Sequence, residues 1–562
     1  MTSAAVLGPP AAPAVRASRL VVDHLRHAVV DLWRQKVVTL FTVVVPLVWL
    51  VVMGFVAGNA VVDEAGGVRV MQFVTPGAAA MGVLYASFPT VAISVAEARH
   101  TGVLRRLRST PLPVAAYLTA RIGAAVVFAV ASVVIMLLVG VLLYDVRLVA
   151  GTAAATTVTL VVAMATFAAI GTAVAAWSPT VATAQAASIG GAVALTFVSG
   201  LFSFGGSAPA WLVTLGDLLP LKPLTAALQD QMNPFHPEVG WDVTGVVVVA
   251  AWTVLAVVAA AAGLRREGVR PTPRTPRAPR TGPAVPTTST RSVEGDGPAP
   301  SATAPMTVVH DTGRPGAARL VRDQVTAGAR VTWRDPGALF FAVVMPVALY
   351  AFVVALAAGG TGPGGVPTAV VVAAGMVAWG AAVAAFMNLP EAVAVARDAG
   401  VLARLAATPT APWHLLTGRT LAAVGGVLAV EALVLGLGTA AYGLRVTATG
   451  VVLGTAVLVL GSLVLAACGF LVASTVHSAK AVGAVALVVL LPLAFFSDVF
   501  VVGGPAWMGR VGDVFPLKHL QNALVLAWSP EPAVGWGHLV VLALWGVAAG
   551  VVAARRFRWD ER

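Results

Sequence analysis

Gly102-Val-Leu-Arg-Arg-Leu-Arg-Ser-Thr-Pro111 returns later in the chain as Gly400-Val-Leu-Ala-Arg-Leu-Ala-Ala-Thr-Pro409. The match extends outward in both directions. Trp33-Arg34 and Pro46 return as Trp333-Arg334 and Pro346, and Leu118-Thr119-x-Arg121 returns as Leu416-Thr417-x-Arg419. Farther on, Asp217-x-x-Pro220-Leu-Lys222 returns as Asp513-x-x-Pro516-Leu-Lys518, and Arg265-Arg266 as Arg555-Arg556. A register kept over a whole half is the mark of an internal duplication, in which one structural unit occurs twice in tandem.

Composition decides what kind of unit is repeated. Hydrophobic residues make up 58% of the chain and charged residues 11%, with mean hydropathy +0.89. That leaves too little polar surface to wrap a water-soluble protein of 562 residues. A bilayer accepts apolar side chains on the outside, provided every backbone polar group is bonded within helices or a closed barrel. Long apolar runs, rather than short alternating ones, select helices. At about twenty residues per crossing, the runs predict spans near 37–58, 70–96, 115–144, 151–176, 181–204 and 242–263. The second half gives 337–358, 366–390, 414–443, 448–475, 480–502 and 537–554. The third span of each half exceeds one crossing and should tilt or project beyond the bilayer.

The expected fold is therefore an all-α polytopic membrane protein of two homologous six-helix domains. An even number of crossings per half enters both in the same sense, which makes them parallel repeats about a pseudo-twofold axis along the membrane normal. The domains are read as 1–264 and 317–562, joined by a cytoplasmic linker over 265–316 whose Pro, Arg and Thr content keeps it extended. A basic amphipathic helix precedes each first span, at 17–36 and 318–334, suited to the membrane interface. The net charge of +12 follows the spans. Arg26, Arg34 and Lys36, then Arg99, Arg105, Arg106 and Arg108, then Arg265 and Arg266 fall in alternate connections, while the other loops are depleted of Arg and Lys. Positive residues stay inside, so both termini are expected in the cytoplasm, and nucleic acid is not needed to explain the charge. The first long apolar run lies far from the amino terminus, so no cleavable signal peptide is expected. Cys468, the single cysteine, sits in an apolar run and permits neither an intrachain disulfide nor a thiolate metal site.

The segment after each second span is the most informative. Val103, Leu104 and Leu107 form an apolar patch rimmed by arginines, with Thr101 as a candidate cap and Pro111 as the stop; Val401, Leu402 and Leu405 repeat it with Asp398 and Pro409. A short helix of this kind is built to seat in a groove on another protein. A helix resting on the membrane surface is the alternative.

These residues and the order of elements around them resemble the ABC-2 family of transporter permeases, over essentially the whole chain twice. The match includes Glu97-x-x-x-x-Gly102-Val-Leu-x-x-Leu-x-x-Thr-Pro111 and the Pro-containing stretches after each fifth span. The resemblance implies two six-helix domains and a cytoplasmic coupling helix that receives the stroke of an ATP-binding subunit, with short re-entrant helices on the outer side at about 205–235 and 503–530. Carried over, the coupling role falls on Glu97, Val103, Leu104, Arg106 and Leu107, and on Val401, Leu402, Arg404 and Leu405. The second copy departs from the pattern, with Val395 where the first has Glu97, so the two couplings need not be equal.

Missing motifs bound the chemistry. The sequence has no Gly-x-x-x-x-Gly-Lys-Ser/Thr phosphate loop, metal-ligand cluster or nucleophile elbow. The chain is thus expected to be a non-catalytic permease that binds no cofactor, with ATP and Mg held by a separate ATP-binding subunit, in two copies per chain. The resemblance favours export from a bacterial cytoplasmic membrane, with hydrophobic drugs, antibiotics or lipids as cargo, as in actinobacterial multidrug and antibiotic-resistance efflux proteins. Phe197, Phe202, Phe495, Phe496 and Phe500 are candidates for the substrate path, with ordinary packing as the alternative. Glu431, a carboxylate inside a span, is a candidate by position. Two rivals stay open, an ion-driven carrier of 6+6 helices and a membrane-embedded enzyme. The first would carry an Asp-Arg-x-Gly-Arg-type loop where Arg105-Arg-Leu-Arg-Ser109 stands, and the second a polar catalytic cluster at one interface.

Overall fold

Backbone polar groups in lipid must be bonded within the segment that carries them, and the apolar runs meet this demand as long helices. The computed structural model describes residues 17–34, 36–56, 59–63, 68–107, 114–201, 210–235, 237–266, 316–357, 360–362, 365–406, 412–476, 479–500 and 506–556. Most of the expected linker, and the helix stops at Pro111 and Pro409, lie outside these residues.

The first half runs α1 (Ala17–Arg34), α2 (Lys36–Val56), α3 (Met71–His100), α4 (Val103–Leu107), α5 (Val114–Tyr144), α6 (Ala153–Trp177), α7 (Val181–Val198), α8 (Ala210–Asp217), α9 (Leu221–Gln231) and α10 (Val243–Arg266). The second half repeats the order with α11 (Ala317–Trp333), α12 (Pro336–Leu339), α13 (Met345–Ala357), α14 (Thr368–Ala381), α15 (Leu389–Asp398), α16 (Val401–Ala406), α17 (Pro412–Ala441), α18 (Ala448–Thr475), α19 (Ala479–Phe496), α20 (Ala506–Gly512), α21 (Pro516–Trp528) and α22 (Trp536–Arg556). A small antiparallel pair, β1 (Val61–Asp63) with β2 (Val68–Arg69), joins α2 to α3, and a single bridge from Thr361 to Pro367 takes that place in the second half.

Among the described residues, ten helical runs are long and apolar enough to cross a membrane, and α2 and α19 add the shorter apolar stretches Thr42–Phe55 and Ala481–Phe496. They occupy the twelve expected crossings. The chain is a multi-pass helical membrane protein. Apolar side chains such as Leu142 of α5, Val243 of α10 and Leu544 of α22 lie exposed on the periphery, as lipid permits. At the centre of each half stands the second crossing, α3 or the α14–α15 run, with 94% of its apolar window buried. Both extend farther than the sequence indicated, to His100 and Asp398.

Each central helix is held by a glycine of the fourth crossing. A Cβ at Gly171 of α6 would strike the Phe88 carbonyl, and one at Gly469 of α18 would strike the Phe386 carbonyl. Without side chains, the helices close to backbone contact, the usual route to tight packing where lipid offers no hydrophobic drive.

The halves differ in how they absorb proline. Pro46 and Pro89 in α2 and α3 cannot bond the carbonyls four residues back. Ser132 donates to the Thr42 carbonyl at 3.0 Å and Thr90 to the Tyr85 carbonyl at 3.2 Å, so both helices remain α. Val430 stands where the first half has Ser132 and supplies no hydroxyl, and Pro390 has no counterpart in α3, where Ala92 takes its place. There the backbone ahead of Pro346 and Pro390 winds as π-helix, over Phe340–Val344 and Ala382–Asn388. Such widened turns often mark functional sites.

The two halves meet reciprocally. α7 packs on α12 and the π-turn at Phe340–Val344, while α19 packs on α2. Gly190 lies beneath the Phe340 ring, Phe197 meets Phe352 edge-on at 5.3 Å, and Phe55 meets Trp507 at 5.0 Å.

Candidate functional site: two short basic helices and a central cavity

α3 ends at Thr101, whose N–H bonds back to the Glu97 carbonyl, and Gly102 then turns the chain at φ +73°. Gly400 does the same at +65°, in the left-handed region that suits a residue without a Cβ. α4 and α16 follow at once. Arg106 reaches back to the Thr101 carbonyl at 3.2 Å, and Arg404 to the Ala399 carbonyl at 3.3 Å, which braces each turn in the same way.

Two details differ from the sequence reading. Thr101 closes the preceding helix and does not cap α4. Asp398 caps a different helix: its Oδ2 accepts the N–H of Ala479, the first residue of α19, at 2.9 Å. The apolar patch also faces inward. Leu104 is 4% exposed and packs on Ala98 and Tyr117, with Val103 and Leu107 half-buried beside it. Leu402 is 1% exposed in the core of the second half, and Val401 is half-buried. Arg106 and Arg404 face outward. Leu405 is helical, but its side chain lies outside the described residues.

The same ends of α3 and α15 are tied to the entry of the fifth crossing. Arg99 donates to the Ser178 carbonyl at 3.4 Å and His100 to the Pro179 carbonyl at 2.9 Å. Arg397 donates to the Val476 carbonyl at 3.5 Å, beside the Asp398 cap. These bonds join the end of α3 to the entry of α7, and the end of α15 to the entry of α19.

α7 and α19 flank a cavity of about 1900 Å³ between the halves, lined by residues of both. Phe197, Phe495 and Phe500 stand on its wall, with Trp49 and Trp379 among its other aromatic residues. Phe500 lies 4.8 Å from Trp379 and 5.5 Å from Phe495. Phe496 turns away to Trp507 at 6.2 Å, and Phe202 lies outside the described residues. Glu431 is also off the wall. It sits 4% exposed between α17 and α18 and accepts from the Thr455 hydroxyl at 3.0 Å. Glu97 does line the cavity, as do Glu391 and Asn388, which sequence reasoning passed over. Their signal is Asn388-Leu-Pro-Glu391, a polar break in an apolar run where the predicted span 366–390 ends.

The short helices that follow each fifth crossing pack on the second and fourth crossings. α9 lies against α3 and α6, and α21 against α18 and α14. Gln72 knits the first set, donating to the Arg147 and Met232 carbonyls at 3.0 and 2.8 Å. In the second, Lys518 bridges Asp513 at 2.9 Å and Asp498 at 3.7 Å, where the first half has only Lys222 with Asp217 at 2.6 Å. Asp498 takes φ +57°, the place of Gly200 in the first half at +83°.

The duplicated unit, with a short helix after its second crossing and a cavity between copies, is that of a known permease family, and the family profile described as ABC-2 type transporter matches residues 25–232 and 325–527. The chain belongs to the ABC-2 type transporter family. The two matched segments fall one in each half and cover well over half of the chain, as a tandem permease requires. A comparison with curated proteins gives no match. An ABC-2 permease is the transmembrane component of its transporter, and the family as a whole works with an ABC ATP-binding partner.

Proposed function

We propose that this ABC-2 permease exports hydrophobic drugs, antibiotics or lipids across a bacterial cytoplasmic membrane. The power comes from two ATP-binding subunits, one seated at α4 and one at α16, which hold the ATP and Mg; this chain binds no cofactor of its own. Both termini lie in the cytoplasm. The observation that carries the reading is the paired link from each short basic helix, through Arg99 and His100 or Arg397 and Asp398, to the helix flanking the shared cavity. A device of that kind turns a push at the surface into a displacement of the cavity wall. The partner contacts fall on exposed Arg106 and Arg404 and the half-buried edges of Val103, Leu107 and Val401, with Glu97 between them and the cavity. Phe197, Phe495 and Phe500 supply the apolar path.

Reconstitution tests this. The chain is placed in lipid vesicles with a candidate ABC ATP-binding subunit, and movement of fluorescent apolar compounds is followed. ATP-dependent movement, absent without the subunit, is expected. Movement driven by a proton gradient with no ATPase present would assign the chain to an ion-coupled mechanism instead.

A further inference from the structure

The cavity wall is not neutral. Asp31 and Glu97 from the first half, and Asp335 and Glu391 from the second, all line it. These four carboxylates stand at the end that carries α4 and α16. Arg419 is the one basic residue among the described lining residues. Three of the acids are already engaged, Glu97 among them. Asp31 pairs with Arg121 at 2.8 Å, and Asp335 caps α12 by accepting from Gly337 and Ala338 at 2.9 and 3.1 Å. Glu391 differs, for it makes no hydrogen bond or ion pair among the described residues, although it is half-buried. Arg419 makes no ion pair with it among the described residues; its guanidinium donates to the Ala392 carbonyl at 3.1 Å.

The surroundings leave room for this carboxylate. A Cβ at Gly483 of α19 would come within 2.6 Å of Glu391 Oε2, so a glycine makes space where the first half carries Gln185. The π-turn at Ala382–Asn388 ends one turn earlier, and the Asn388 Nδ2 that it presents is buried without a partner. Twelve residues up the same helix, roughly 18 Å at helical rise, Trp379 is 4% exposed on the cavity wall with its Nε1 unpartnered. Among the described residues, the wall thus offers a carboxylate without a counter-ion at one end, an aromatic surface between, and an unpartnered donor at the other. A charge held in low dielectric without a counter-ion is costly, and a cation entering the cavity would relieve it while its apolar body stacks on the rings.

We infer that the cavity selects lipophilic organic cations, with Glu391 as the anchor for the positive centre and Trp379 as a donor to an acceptor atom on the cargo. The positive centre enters from the end that carries the short basic helices. The inference rests on the cavity being the cargo path, as proposed above, and it narrows the cargo from hydrophobic compounds in general to those bearing a cation.

The test is equilibrium binding to the full chain in lipid nanodiscs, with empty nanodiscs subtracted and no ATP-binding subunit present. Two near-isosteric probes are compared, methyltriphenylphosphonium and the neutral triphenylphosphine oxide. The unmodified chain should bind the cation at least tenfold more tightly than the oxide, and E391Q should lose that preference while keeping its affinity for the oxide. Retained oxide binding also reports that the variant is folded, and the preference of the unmodified chain stands as evidence even if E391Q does not fold. Equal or weaker binding of the cation, binding of neither probe, or an unchanged preference in E391Q would overturn the inference. Because no ATPase enters the assay, such a failure leaves the transport reading untouched, and a failure of ATP-driven transport leaves this binding result standing.

Discussion

Asp398 accepts the main-chain N–H of Ala479 at 2.9 Å, so the last residue of one crossing caps the first turn of another. His100 fills the same place in the first half, donating to the Pro179 carbonyl at 2.9 Å. The two ties use opposite chemistry, an acceptor in one half and a donor in the other, to join the same pair of elements. They sit between the short basic helices and the helices that flank the cavity, along the route that the proposed stroke would take.

Asp398→Ala removes a helix cap, which is worth about 1 kcal/mol. The variant should unfold at a lower temperature and show partner-stimulated ATP hydrolysis that no longer follows cargo. Asp398→Asn keeps an oxygen acceptor and should recover most of both. Thermal unfolding with the ATPase assay checks this, and equal behaviour of the two variants would remove Asp398 from the link.

Gly171 and Gly469 allow backbone-to-backbone approach at matching places. Gly469→Val and Gly171→Val must push α18 off the α14–α15 run and α6 off α3, an overpacking that costs about 1–3 kcal/mol or more. Each should reduce the yield of folded protein and its melting temperature. Gly425→Val, at a position where an added Cβ meets nothing within 4 Å, serves as the comparison and should be tolerated.

The helices that precede each first crossing are held unequally. α1 buries Ala28 and Leu32 against Ala124 and Phe128, and its Asp31 pairs with Arg121. α11 buries none of its residues, and Val331 stands where the pairing acid would be. Hydrogen exchange in nanodiscs should be faster across α11 than across α1, and Asp31→Ala should bring α1 toward the α11 rate. Equal protection in the unmodified chain would contradict this.

Much of this was legible in the sequence because lipid enforces simple rules. Apolar run length gave the crossings, and the repeat gave the pairing of elements, from Trp33 with Trp333 to Lys222 with Lys518. Three things were hidden, each set by contacts between distant segments. The inward turn of Leu104 depends on Tyr117, which arrives from the next helix. The π-turns depend on whether a neighbouring side chain repairs the carbonyl that proline leaves bare, as Ser132 does for Thr42 and Val430 cannot for Ala342. Glu391 lay just past the predicted end of a span, and the helix in fact continues to Asp398.

The central claim is that α4 and α16 are the seats of two ATP-binding subunits, and the most direct measurement is native mass spectrometry of the chain with its ATPase in nanodiscs. Two ATPase copies per chain are expected, with Arg106→Glu or Arg404→Glu alone reducing occupancy to one and the double variant to none, while melting temperatures stay unchanged. Leu104→Asp should act differently and lower the melting temperature, because Leu104 is packed inside this chain. Full occupancy in the double arginine variant would contradict the account.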